Sequence, residues 1–196
     1  MSIFSLKPQT GRRCLAAAVA VAALQTAVLG YVIEGRAAIL RNGTDVLLKT
    51  APVDPRDFLR GDYVVLNYEI SSVPLQSLTG EIPKEPGERS LWVRVKQGEG
   101  GFWGVVESSF QPLPQQEATV VLHTMPFYSY GNAQTESIHV DYGIERYYVP
   151  EGAGLALEQA RQEGEVSIAV RVAADGTPQI RSLLVDGKPA YDEPLY

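Results

Sequence analysis

PVDPRDFLRGDYVVLNYEI, residues 52–70, packs turn chemistry, six acidic or basic side chains and a strand pattern into one short stretch. Asp54 suits a helix N-cap, Pro55 the first helical position, and Asp57 follows the cap by three residues. Gly61 fits a left-handed stop, so the spacing predicts one helical turn over 55–60. Beyond it the pattern changes to period two. Val64, Leu66, Tyr68 and Ile70 fall on one face of a strand, with Tyr63, Val65, Asn67 and Glu69 on the other. Asp62 then begins the apolar face, where a carboxylate needs partners. Arg56 and Arg60, one helical turn apart, are the nearest candidates.

Gly61, Asp62, Tyr63, Leu66 and Tyr68 spell GDYxxLxY, and the stretch resembles the central signature of the bacterial GDYXXLXY family of membrane-anchored proteins. YGIERYYVPEG, residues 142–152, is similar to that family's second signature. The resemblance implies location and architecture, because the family has no assigned biochemical activity to carry over. It marks Asp54, Pro55, Arg56, Asp57, Arg60, Gly61, Asp62, Tyr63, Leu66 and Tyr68 in the first signature as structural or binding residues. In the second it marks Tyr142, Glu145, Arg146, Tyr148 and Glu151.

With 196 residues the chain has room for a membrane segment and one domain of ordinary size. Net charge is −6, and setting aside Lys7, Arg12 and Arg13 leaves the remainder three charges more negative. An acidic domain repels phosphate backbones, which argues against nucleic acid as a partner. The single cysteine, Cys14, excludes a disulfide within the chain and a cysteine metal cluster. Arg12 and Arg13 stand where a lipidation signal before Cys14 would need small and apolar residues.

Residues 14–33 carry no charge, and twenty residues at about 1.5 Å each span a bilayer core of roughly 30 Å. Gln25 and Thr26 are the clearly polar members. Lys7, Arg12 and Arg13 before the segment place 1–13 in the cytoplasm by the positive-inside rule. Residues 34–196 then lie outside the bacterial inner membrane. Ala20-Val21-Ala22 has the form of a signal-peptide cleavage site, the rival reading. Continuous apolarity up to Glu34 favours a retained anchor. Gln25 reads as a tolerated polar residue or as a contact with another membrane helix.

The expected organisation is a cytoplasmic 1–13, an anchor at 14–33, a juxtamembrane stalk at 34–44, a β-rich domain at 45–186 and a loosely held tail at 187–196. The stalk either continues as helix to Asn42-Gly43 or turns there as a hairpin. Strand patterns occupy 45–50, 91–96, 102–107, 118–124, 137–142, 165–173 and 179–185, with Asp175-Gly176 as a hairpin turn. Residues 71–89 show no lasting periodicity and read as a surface connection. Met125 to Gly131 forms an aromatic loop, either core cap or recognition surface. Residues 155–162 are a helix candidate. Parallel crossovers are scarce. The fold class is an N-terminal transmembrane helix plus a mainly antiparallel β (α+β) extracytoplasmic domain with one or two short helices.

Catalytic constellations are few. His123 and His139 lie beside strand patterns with no nucleophile motif nearby; Ser108, Ser129 or Ser137 would have to reach one of them by folding. With Asp141 or Glu136 the histidines match no standard metal set, so neither a metal nor a cofactor is expected. Type I signal peptidases share the tethered β architecture but need a serine before the corresponding strand. Residues 50–59 contain none.

If 144–149 forms a helical turn, Glu145 and Tyr148 share a face. Arg56, Asp62, Glu145 and Arg146 then make either a polar cleft or a buried ion network that fixes the turns. The favoured function is a non-enzymatic accessory module, held in the lipid bilayer by its helix and partnered by a multi-pass membrane protein. The alternatives are an envelope hydrolase using paired acids such as Asp62 and Glu145, and a small-ligand-binding domain.

Overall fold

The computed structural model describes residues 8–51, 63–130, 136–148 and 166–194. The chain divides into two compact units, Met1–Ala38 and Ile39–Tyr196. Helix α1, Pro8–Asn42, is rich in alanine and leucine and holds no interior proline, which favours unbroken helix. Its stretch Gly11–Asn42 is long and apolar enough to cross a membrane. Of the two stalk readings, the helix holds. Gly43 N donates to Ile39 O at 2.8 Å, and a Cβ on Gly43 would lie 2.6 Å from that oxygen, so only glycine fits this exit.

The second unit is built from short strands. In chain order they are β1 Thr44–Lys49, β2 Tyr63–Val65, β3 Ser72–Pro74, β4 Gly87–Arg89, β5 Trp92–Gln97, β6 Trp103–Ser109 and β7 Thr119–His123. They continue with β8 Phe127–Ser129, β9 Ser137–His139, β10 Arg146–Tyr148, β11 Val166–Val172, β12 Pro178–Val185 and β13 Lys188–Asp192. Strand pairing is mainly antiparallel. One sheet runs β1-β11-β12-β13, another β6-β5-β7, and β10-β2, β3-β9 and β4-β8 form two-stranded ribbons.

Alternation in the sequence becomes burial in the sheets. Val46 and Leu48 of β1, Val93 and Val95 of β5, Leu122 of β7 and Ile168 and Val170 of β11 enter one contiguous core. That core also takes Leu66, Tyr68 and Ile70 from the first signature and Tyr142, Ile144 and Tyr147 from the second. The period-two pattern of 64–70 thus predicts the buried face beyond the strand itself. β2 ends at Val65, and Glu69–Ser71 is a 3-10 turn, yet Leu66, Tyr68 and Ile70 stay buried.

Three expectations need correction. Residues 71–89 hold β3, a 3-10 turn at Leu75–Ser77 and β4, each too short to leave a periodic trace. The tail beyond Gly187 is not loose throughout: β13 pairs with β12, and Tyr191 sits against the ring of Tyr147 with centroids 6.5 Å apart. Its turn is Asp186-Gly187, with φ of 51° and 71°, the double positive φ of a two-residue hairpin. Residues 144–149 do not form a helical turn over their described part, because Arg146–Tyr148 is strand β10. The helices expected at 55–60 and 155–162 lie outside the described residues.

Candidate functional site

The two signatures meet. β10 pairs antiparallel with β2, setting Arg146 opposite Val65, Tyr147 opposite Val64 and Tyr148 opposite Tyr63. Further along, β3 pairs with β9, setting Ser72 opposite His139. Main-chain bonds close each ladder: Leu66 N donates to Glu145 O at 2.8 Å, and Val140 N to Ser71 O at 2.9 Å.

Between the ladders the chains separate, and side chains replace the main-chain bonds. Tyr68 Oη donates to Ile144 O at 2.6 Å, and Tyr142 Oη donates to Ile70 O at 2.9 Å. Both tyrosines are buried, which matches the rule that an interior phenol must find an acceptor. Glu145 folds back so that its carboxylate accepts from Tyr142 N at 2.5 Å and Gly143 N at 2.9 Å. Gly143 takes φ of +81°, which a side chain would oppose.

Electrostatics follow from this packing. Burial raises the Tyr68 and Tyr142 phenols well above their ordinary range, and the nearby Glu145 charge adds to the effect. Tyr147 is raised to about 12, first by burial and then by Glu193 and Asp192. These phenols stay neutral at ordinary pH, and Tyr68 and Tyr142 remain donors.

A family model described as GDYXXLXY protein matches residues 25–183. The chain belongs to the GDYXXLXY family. No curated protein and no solved structure matches it. Leu66 and Tyr68, two of the residues that give the family its name, line the seam between the signatures.

The helical reading of the second signature placed Glu145 and Tyr148 on one face. In this GDYXXLXY protein the strand instead turns Arg146 and Tyr148 outward and Tyr147 inward. Glu145 lies before the strand, engaged with the main chain. Tyr63 begins β2. Asp54, Pro55, Arg56, Asp57, Arg60, Gly61, Asp62 and Glu151 lie outside the described residues, as does the spacing of the acid pair Asp62 and Glu145. Among the described residues no group of three or more His, Cys, Asp or Glu side chains could hold a metal ion.

Two constellations escaped the sequence. Ser90 Oγ lies 2.9 Å from His123 Nε2, and the His123 ring stacks on Trp92 with centroids 4.3 Å apart. His123 N also donates to Gly176 O at 2.9 Å, tying the end of β7 to the β11–β12 turn. A Cβ on Gly176 would lie 2.9 Å from His123 N, so this approach requires glycine at φ of +87°. Asp175, in the same turn, is held below its usual range chiefly by the Thr177 main-chain N–H, with His123 a minor contributor. The serines considered from sequence were others. Ser90 stands in the short link between β4 and β5, where no motif marks it.

The second constellation is Arg94, which is 2 % exposed. Its guanidinium donates to Glu107 Oε2 at 2.7 Å, Pro114 O at 2.8 Å and Thr119 Oγ1 at 3.2 Å. Alternation placed Arg94 on the face opposite Val93 and Val95. The β6-β5-β7 sheet buries that face locally as well, and the charge survives because its donors are met. Met125, Tyr128 and Tyr130 are exposed, with the two tyrosine rings edge to face at 5.0 Å. The aromatic loop therefore splits: Phe127 packs on the core through β8, and its tyrosines face water.

Proposed function

We propose that this GDYXXLXY protein is a single-pass protein of the bacterial inner membrane, with its N-terminus in the cytoplasm and its β domain outside. There it serves as a non-enzymatic accessory module for a multi-pass membrane protein. The observation that supports this most is the use of Glu145. A paired-acid hydrolase needs a carboxyl free to exchange a proton with substrate. Glu145 instead accepts two main-chain hydrogen bonds and shapes the turn that carries Tyr142. The signatures read as a strut that keeps a small domain rigid, and its business is then on the surface. Met125, Tyr128, Tyr130 and Tyr148 supply exposed apolar and amphipathic material of the kind protein contacts use.

Co-purification of the full-length tagged protein from gently solubilised membranes tests the reading. Wild type is compared with a Tyr128→Ser/Tyr130→Ser variant, whose exposed rings can be removed with little effect on folding. A membrane protein recovered with wild type and lost with the variant is the expected result. Recovery of no partner in either sample would overturn the accessory reading in favour of a small ligand or an enzymatic substrate. A domain freed of its anchor that fully restores a deletion phenotype would also count against it.

A further inference from the structure

We propose that the chain forms a parallel dimer through α1, with the Gln25 side-chain amides of two copies hydrogen-bonded to each other near the bilayer centre. The inference rests on the reading of α1 as a retained anchor. Two polar residues interrupt the uncharged stretch, and they differ. Thr26 Oγ1 donates to Ala22 O at 2.9 Å and so is satisfied within its own helix. The Gln25 amide has no hydrogen-bond partner among the described residues, and it projects from a helix exposed along its apolar length.

Depth makes that difference matter. Gln25 lies about 2 Å along the axis from the midpoint of residues 14–33, at 1.5 Å per residue. No water is available there, so an unmet amide seeks a protein partner. An amide carries both donor and acceptor, and is therefore complementary to itself. Two copies inserted with the same topology are parallel, so a twofold axis sets Gln25 opposite Gln25.

Spacing supports the same contact. Leu15, Ala18, Ala22, Gln25, Leu29 and Val32 recur at alternating intervals of three and four residues. This is the repeat that keeps one seam facing a partner in a left-handed helix pair. Ala18 and Ala22 allow close approach on one side of Gln25, and Leu29 and Val32 fill the space on the other. The opposite face carries small residues, among them Ala20, Ala23 and Ala27, but no polar group that needs a partner. Gln25 decides between the faces.

Single cysteines introduced into full-length protein carrying Cys14→Ser, oxidised in native membranes with copper-phenanthroline, read the contact directly. Ala18→Cys, Ala22→Cys and Leu29→Cys are expected to cross-link, and Ala20→Cys, Ala23→Cys and Ala27→Cys to remain monomeric. Gln25→Leu should weaken cross-linking at Ala18→Cys about three- to twenty-fold, the measured range for one interhelical hydrogen bond in a membrane, and Gln25→Asn should retain it. Cross-linking at the opposite face, equal cross-linking at all positions, or indifference to Gln25→Leu would overturn the proposal. Intact mass and alkaline carbonate extraction of the same samples separate the two failures. A truncated or released chain refutes the anchor and the dimer together; a full-length, retained chain without the seam pattern refutes the dimer alone.

Discussion

Tyr68 and Tyr142 bind across to each other's segments: Tyr68 Oη donates to Ile144 O, two residues beyond Tyr142, and Tyr142 Oη donates to Ile70 O, two residues beyond Tyr68. The arrangement is reciprocal, and it fills the interval where the β2–β10 ladder has ended and the β3–β9 ladder has not begun. Tyr68→Phe or Tyr142→Phe keeps the ring and leaves one buried carbonyl unmet. Each should cost about 1–3 kcal/mol. Because the two bonds brace one loop pair, the double variant should lose less than the sum. Denaturant unfolding of the detergent-solubilised full chain measures all three; an unchanged midpoint in either single variant would show that its bond contributes nothing.

Those same phenols set a sensitivity to alkali. Folded Tyr68 and Tyr142 are raised above the ordinary tyrosine value of about 10, whereas in the unfolded chain they ionise near it. The unfolded state therefore binds fewer protons above about pH 10, and stability falls as pH rises. Below that value the contribution is fully present. A titration of phenolate absorbance should show Tyr68 and Tyr142 ionising only as the fold opens. Smooth ionisation of all ten tyrosines without unfolding would contradict it.

The strands that face the core over several residues were legible because burial imposes period two: Val46 and Leu48, Val93 and Val95, and Val166 to Val172 all announce themselves. Three-residue strands such as β3 and β4 are set by a distant partner and leave no such trace. β13 is exposed along most of its length, so its residues need no apolar alternation. Its turn was nonetheless readable, since Asp186-Gly187 repeats the dipeptide of Asp175-Gly176. In the second signature, side-chain spacing suggested a helical turn where a long-range partner, β2, imposes extension. Glu145 was found by its signature, but its engagement with main-chain N–H groups is a property of the loop's three-dimensional path. Ser90 and His123, thirty-three positions apart, are neighbours only through the sheet.

Replacing Glu145 separates a structural from a catalytic carboxylate. Glu145→Ala removes the acceptor for Tyr142 N and Gly143 N and should destabilise the chain by about 1–3 kcal/mol. Glu145→Gln keeps one carbonyl acceptor but turns a donor toward the other N–H, so an intermediate loss is expected. Circular dichroism and unfolding of both variants provide the check. Wild-type stability in Glu145→Ala would make this residue a candidate functional acid again.

Arg94 predicts behaviour at the acid end. Its hydrogen bond to Glu107 is the main cause that lowers the Glu107 carboxyl below its ordinary value. A depressed folded pKa means that this stabilisation is present above the ordinary carboxylate range and is lost as pH falls through the folded value. Arg94→Met should remove that acid-side dependence. It should also destabilise at neutral pH, by less than the roughly 3–5 kcal/mol typical of a broken buried pair, since Glu107 retains contact with water. Parallel pH–stability curves for wild type and Arg94→Met would refute the assignment.

Ser90 and His123 offer the sharpest challenge to a non-enzymatic role, because 2.9 Å is the separation a nucleophile and its base require. Their surroundings argue otherwise. The imidazole is stacked on Trp92, the His123 main chain is tied to Gly176, and the Asp175 carboxylate accepts from Thr177 N at 3.0 Å. The hydrogen bond then serves to join the entry of β5 to the end of β7. A fluorophosphonate probe added to the full-length protein should accordingly leave Ser90 unmodified, and Ser90→Ala should show a small loss of stability, about 1 kcal/mol for one partly buried hydrogen bond. Stoichiometric labelling by mass spectrometry, abolished in both Ser90→Ala and His123→Ala, would establish an activated serine and replace the accessory role with that of a hydrolase.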